Sequence, residues 1–189
     1  MTRIIAGTAG GRRLETPSGQ STRPTTDRVR EALFSAVESW SGGWSGLRVL
    51  DLYAGSGAVG LEAWSRGAAE VTFVEQSRAT AALIVRNAAL LGFSGAHVLS
   101  QAVRTVLAGR PGEPYDLVFL DPPYPMADAD VDEDLRLLVS HGWLAPDALV
   151  VVERAAKRTT VTWPGEIEPG RVRTYGETAL WYGHFPARP

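Results

Sequence analysis

From Leu47 onward, short strand-like apolar runs alternate with stretches of helical period, and few folds satisfy that rhythm. The runs are Leu47–Leu52, Val71–Glu75, Val98–Gln101, Asp116–Asp121 and Ala148–Glu153. Between them lie helical stretches near Val59–Arg66, Ser77–Leu91, Val103–Ala108 and Asp132–His141. Such β/α alternation predicts an α/β fold with a parallel sheet covered on both faces by helices. The tail breaks the rhythm. Thr160–Trp163, Val172–Tyr175 and Ala179–Phe185 read as strands without intervening helices, and Gly176-Glu177 turns between the last two. An antiparallel hairpin closing one edge of the parallel sheet is therefore expected.

The N-terminus reads differently. Arg3-Ile4-Ile5 and Arg12-Arg13-Leu14 are β-like pieces broken by Gly7, Gly10-Gly11 and Pro17-Ser18-Gly19, which predicts a small hairpin-like extension. Pro24 and Thr25-Thr26 then start a helix whose apolar face carries Val29, Leu33, Val37 and Trp40. Arg28, Arg30 and Glu31 lie off that face, and Ser41-Gly42-Gly43 ends the helix. Residues 1–45 thus form an extension and first helix, and residues 46–189 the main α/β domain. At 189 residues and 44% hydrophobic content the chain can bury an ample core.

Net charge is only −2, but it is unevenly spread. Arg3, Arg12, Arg13, Arg23, Arg28 and Arg30 against Glu15 and Asp27 give residues 1–30 a net +4, leaving −6 for the remainder. A basic segment beside an acidic body suits local contact with a polyanion and argues against general nucleic-acid binding. There is no cysteine, so disulfides, thiolate metal sites and cysteine nucleophiles are excluded. His97, His141 and His184 stand apart without ligand spacing, and no metal is expected. No apolar run approaches the roughly 20 residues of a membrane span, so a cytoplasmic protein without membrane contact is expected.

Two motifs carry chemistry. The first strand runs into Asp51-Leu-Tyr-Ala-Gly-Ser-Gly-Ala-Val-Gly60, where Gly55, Gly57 and Gly60 match G-x-G-x-x-G. Glu75 ends the second strand, where an acid can hold a ribose diol. Such a loop fits NAD, FAD or S-adenosylmethionine. Asp51 tilts the choice, because a carboxylate would repel a pyrophosphate and attract the ammonium of S-adenosylmethionine. The second motif is Asp121-Pro122-Pro123-Tyr124, at the end of the fourth alternating strand. Two prolines end the strand and stiffen the loop. In a doubly wound sheet that strand end opens beside the glycine loop, where ligands collect.

A rigid acid at that place has a use. The exocyclic amine of a nucleobase is a poor nucleophile, since its lone pair is delocalised into the ring. The Asp121 carboxylate and the Pro122 carbonyl can accept its two N–H groups, turn the lone pair toward a methyl donor and stabilise charge growing on nitrogen. Tyr124 offers a flat face on which an extruded base can stack. No nucleophilic side chain is needed.

The order acid-x-aromatic-Ala-Gly-x-Gly followed by Asp-Pro-Pro-Tyr resembles the class I S-adenosylmethionine-dependent amino-methyltransferases, which act on adenine N6, guanine N2 or a glutamine amide. Longer stretches narrow the likeness: Arg3–Pro17, Thr22–Val37, Val49–Ala68, Phe73–Arg78, Leu117–Tyr124 and the terminal Thr174–Tyr182 resemble the bacterial 16S ribosomal RNA guanine-N2 methyltransferases that modify the helix 31 loop. That resemblance implies a Rossmann-like, mostly parallel seven-stranded sheet, and S-adenosylmethionine converted to S-adenosylhomocysteine. It implies 16S rRNA, within a 30S subunit or assembly intermediate, as partner of a monomeric enzyme. It extends the cofactor contacts to Tyr53, Gln76, Asp121 and, bordering the adenine, Gln101 and Ala102. It places Arg3, Arg12, Arg13, Arg23, Pro24, Thr25 and Arg28 near the RNA. Three alternatives stay open: adenine N6 methylation, a non-catalytic RNA-binding assembly factor, and an NAD-dependent oxidoreductase, the last disfavoured by Asp51.

Overall fold

The computed structural model describes residues 2–17 and 27–187. Strands β1 (Thr2–Arg3) and β2 (Arg13–Leu14) pair antiparallel, and helix α1 (Asp27–Ser41) follows. The main domain then runs β3 (Arg48–Leu52), α2 (Ala58–Arg66), β4 (Glu70–Val74), α3 (Arg78–Leu91), β5 (Ala96–Leu99), α4 (Val103–Leu107), β6 (Tyr115–Leu120), α5 (Asp128–Ser140) and β7 (Leu144–Ala155). Strands β8 (Glu168–Tyr175) and β9 (Thr178–Phe185) close the chain.

The seven-stranded sheet has the order β5-β4-β3-β6-β7-β9-β8, with β3 through β7 parallel and β9 antiparallel to both neighbours. Alternation along the strands sends apolar side chains to two cores. One face packs Val49, Phe73, Phe119 and Val151 against α1, α2 and α3; the other packs Leu50, Leu120 and Val152 against α4 and α5. The strand order reverses between β3 and β6, so their carboxyl ends part to leave the crevice in which α/β proteins bind ligands. Among the described residues no helix is long and apolar enough to cross a membrane.

The N-terminal extension is docked, not free. Buried Glu62 of α2 accepts the N–H groups of Ile5 (2.6 Å) and Ala6 (2.9 Å), and Ser65 Oγ accepts from Ala9 (2.9 Å) while donating to the Ala6 carbonyl (2.6 Å). Gly7 makes this approach possible. At φ +82° a Cβ there would stand 1.9 Å from the Ser65 carbonyl oxygen. Ile4, Ala9 and Leu14 share the core of α1 and α2, so packing is continuous across residue 45.

Three expectations need correction. Thr160–Trp163 is not a strand. Two of its N–H groups are claimed by α5, Thr160 N donating to Asp128 (2.9 Å) and Thr162 N to Asp132 (2.8 Å), which takes them from any ladder on that edge. Helix α5 begins at Asp128, ahead of the expected Asp132, because acids suit the positive end of a helix. Arg30 lies inside: it is 1% exposed, pulled in by bonds from Nη2 to the Arg3 carbonyl (2.9 Å) and Asp27 (2.7 Å). Pro24 and Thr25-Thr26, expected to start α1, lie outside the described residues.

Candidate active site

At the carboxyl edge of the sheet, the β3–α2 turn is drawn tight by left-handed residues. Tyr53 (φ +60°), Gly55 (φ +56°) and Gly57 (φ +79°) reverse the chain so that α2 starts directly above the strand. For tyrosine this conformation is strained. Its hydroxyl, donating to buried Asp134 of α5, holds it there, and burial followed by that bond raises the phenol above its ordinary range.

Gly57 precedes α2 without a side chain to cap it, and Asp51 supplies the missing acceptor. Its Oδ2 takes the Gly60 N–H at 3.0 Å, satisfying one orphan donor of the first turn. Asp51 is 1% exposed, and burial drives its carboxyl up to about 8, with the Gly60 bond opposing and the Glu75 charge adding. Glu75 fastens the loop from the next strand. Its two oxygens accept from Gly55 N (3.0 Å) and Ser77 N (2.8 Å), which leaves lone pairs on both for further donors.

The Asp-Pro-Pro-Tyr loop leaves β6 at the same edge. Asp121 is half-buried, Pro122 buried, and Tyr124 70% exposed, an unusual position for so large a ring. Pro123 accepts from Met126 N at 2.9 Å, closing a turn. Arg154 braces that turn: its buried guanidinium donates to the Met126 carbonyl (2.7 Å) and Asp128 (2.8 Å). Leu120 pairs in register with Val152, and Asp121 and Glu153 are the residues that follow them on the two strands' chains. Burial raises the Asp121 carboxyl well above its usual range, the Glu153 and Asp51 charges raise it further, and Arg154 opposes them.

These groups line one cavity of about 810 Å³. Asp51, Glu75, Asp121, Tyr124, Glu153 and Arg30 all contribute to its wall, as do the predicted Tyr53, Gly55, Gln76 and Pro122. Gly57 shapes the turn from behind. Gln101 and Ala102 are exposed and off the wall, where Val103 represents that segment. Arg3, Arg12, Arg13 and Arg28 are on the surface, with Arg3 3.6 Å from Asp27 and Arg12 donating to the Leu90 carbonyl. Arg23, Pro24 and Thr25 lie outside the described residues. Among the described residues no His, Cys, Asp or Glu cluster is arranged to hold a metal ion.

Sequence reasoning missed three residues. Glu153-Arg154, a charged pair ending the apolar run Leu149–Val152, mirrors Asp121 and was a readable signal. Arg30 gave none. Its Nε and Nη1 are buried without hydrogen-bond partners, although a buried guanidinium ordinarily finds them.

The crevice, glycine turn and strand-end acids define a class I methyltransferase fold. The magnesium protoporphyrin IX methyltransferase of Synechocystis PCC 6803, solved with bound SAM, shares it at TM-score 0.64 over 89% of this chain and 86% of that one; at 16% identity the likeness is one of fold alone. A nearer structure is the putative methyltransferase yhhF from Escherichia coli, at TM-score 0.87 and 35% identity over 99% of each chain. Ribosomal RNA small subunit methyltransferase D of Escherichia coli K12 is 38% identical over 94% of this chain and 86% of its own length. The putative rRNA methyltransferase YlbH of Bacillus subtilis is 33% identical over 94% and 96%. The chain belongs to the family described as Conserved hypothetical protein 95, whose model matches residues 2–184.

Proposed function

We propose that this protein transfers a methyl group from S-adenosylmethionine to the exocyclic N2 amine of a guanine in 16S rRNA, in the helix 31 loop. The observation that carries the reading is the shared cavity, in which the Asp121 carboxylate and the Glu75-braced glycine loop face the same space. The matched relatives named as rRNA methyltransferases support the RNA substrate.

The residues present fit the cofactor. Glu75 retains lone pairs for a ribose diol, Gly55 has open space where a side chain would stand, and buried Asp51 is an acid that gains by meeting a cation. Tyr53, Gln76 and Val103 would complete that half. When bound, S-adenosylmethionine supplies an electrophilic methyl on a sulfonium and leaves as S-adenosylhomocysteine. The protein's own work is alignment. Asp121 and the Pro122 carbonyl accept the two amine hydrogens and aim the nitrogen lone pair, and fixed geometry of this kind is worth on the order of 7–11 kcal/mol of barrier. Asp121, raised above an ordinary carboxylate, is also a competent acceptor for the proton that nitrogen must lose. The exposed Tyr124 ring stacks the extruded base.

The extension and first helix, residues 1–45, serve the RNA, with Arg3, Arg12, Arg13 and Arg28 on its surface. The partner is 16S rRNA in a 30S subunit or assembly intermediate, met by a cytoplasmic monomer. The test is methylation of naked 16S rRNA, an assembly intermediate and complete 30S subunits, with nucleosides identified by mass spectrometry. N2-methylguanosine is expected. N6-methyladenosine would replace the substrate, and RNA binding without methylation on any of the three would make the protein an assembly factor. Asp121→Ala is expected to abolish turnover while cofactor affinity stays within about threefold, since its role is orientation.

A further inference from the structure

We propose that Glu153 identifies the target base as guanine by accepting its N1–H while Asp121 holds the adjacent N2 amine. The inference rests on the guanine-N2 reading and adds what that reading lacks, because Asp-Pro-Pro-Tyr engages an amine without distinguishing the ring that bears it.

The sheet dictates the placement. Asp51, Phe119 and Val151 lie in one row across β3, β6 and β7, and Phe119 and Val151 point to the face covered by α1, α2 and α3. Two residues further, the strand period returns Asp121 and Glu153 to that same face in adjacent strands. Both line the cavity, Glu153 is 9% exposed, and its charge adds to the burial that raises the Asp121 carboxyl. Methyl transfer itself needs only one of the two acids.

Base chemistry makes the second useful. In guanine the exocyclic amine and N1–H are neighbouring donors on one edge, so paired carboxylates can accept from both. In adenine the amine also neighbours N1, but there N1 bears a lone pair. An adenine amine set against Asp121 would turn that lone pair onto the Glu153 carboxylate, which repels it. The wrong base is thus rejected by an unfavourable contact, which discriminates more sharply than a missing favourable one.

The test uses the intact protein and 16S rRNA carrying either guanine or 2-aminopurine at the target position. The analogue keeps the amine on the same ring carbon and replaces N1–H by a lone pair. Wild type is expected to lose about 100-fold or more in kcat/KM on the analogue. Glu153→Gln is expected to lose activity on guanine yet narrow the guanine to 2-aminopurine ratio by at least about tenfold, since its amide can donate to the analogue's N1. A loss from structural damage alone would leave that ratio unchanged. S-adenosylhomocysteine affinity and the urea midpoint check that the variant is folded, and Glu153→Asp, a shortened carboxylate expected to keep the preference for guanine, serves if it is not. Equal wild-type rates on both RNAs, or an unchanged ratio in Glu153→Gln, would overturn the role of Glu153. Absence of N2-methylguanine from wild type on unmodified RNA would instead overturn the underlying reading.

Discussion

Replacing Glu62 by alanine would remove the clasp between the N-terminal hairpin and α2. Glu62 is fully buried and accepts three donors: Ile5 N at 2.6 Å, Ala6 N at 2.9 Å and Arg66 Nε at 2.9 Å. Each hydrogen bond to a charged group contributes about 1.5–3 kcal/mol net. The two backbone donors alone therefore suggest about 3–6 kcal/mol, and breaking a buried ion pair by deleting one partner costs about 3–5 kcal/mol. These figures overlap because they count the same lost carboxylate, so a loss of about 3–5 kcal/mol is expected for Glu62→Ala. Glu62→Gln should lose less, about 2 kcal/mol, because an amide oxygen in place of Oε1 still accepts from Ala6 N and Arg66 Nε while the NH₂ opposes Ile5 N. Urea denaturation followed by tryptophan fluorescence reads both values. A second readout ties the clasp to function: with the hairpin released, Arg3, Arg12 and Arg13 lose their fixed positions and RNA affinity should fall less steeply with salt. A cost below about 1 kcal/mol for Glu62→Ala would refute the energetic reasoning, and an unchanged salt slope in a destabilised variant would refute the placement of the RNA footprint.

Asp51 sets a pH dependence whose sign follows from its raised carboxyl. The folded protein keeps this proton up to about pH 8 whereas the unfolded chain loses it near 3.8, so its stabilising contribution is complete at the acidic end, declines as pH rises and levels off above about 8. Asp51→Asn, whose amide oxygen still accepts the Gly60 N–H, should flatten thermal melting between about pH 5 and pH 8; an unaltered slope would assign the titration elsewhere. Gly60→Ala would set a Cβ 2.3 Å from Phe73 Cε1 and 2.8 Å from Val71 Cγ1, both in side chains without room to yield. A loss of about 1–3 kcal/mol in denaturation with weakened cofactor binding is expected, and wild-type values for both would show that the helix can shift freely. Arg30→Met removes the buried guanidinium with idle donors on the cavity wall, and should reduce the log–log salt slope of RNA binding by about 1 if a phosphate meets it; no change in slope would exclude such a contact.

The parallel sheet was legible because each of its strands is a short apolar run set between helical periods, and the glycine turn and Asp-Pro-Pro-Tyr stood out because their residues break those periods, the structure bringing both to one cavity. Strand edges moved by one to a few residues, as at β5, which lies at Ala96–Leu99 instead of Val98–Gln101. Thr160–Trp163 misled because alternation in a sequence is the same whether the polar N–H groups meet a ladder or, as here, the carboxylates of Asp128 and Asp132 some 30 positions away. Arg30 was invisible for a related reason. Charge predicts exposure, and only the meeting of Asp27 with the Arg3 carbonyl draws it inward. The charge of Glu153 at the end of its apolar run was readable, but its place beside Asp121, one position past the paired Leu120 and Val152, is a relation between strands that only the fold supplies.

Helix α2 is only nine residues long, yet its first turn shapes the glycine loop while Glu62 and Ser65 grip the N-terminal hairpin. The segment proposed to meet the RNA and the turn proposed to cradle the methyl donor are thus bolted to one short rod. Such a chain cannot exchange its front piece for that of another enzyme as if it were a detachable module; the two halves must be inherited, and must change, together.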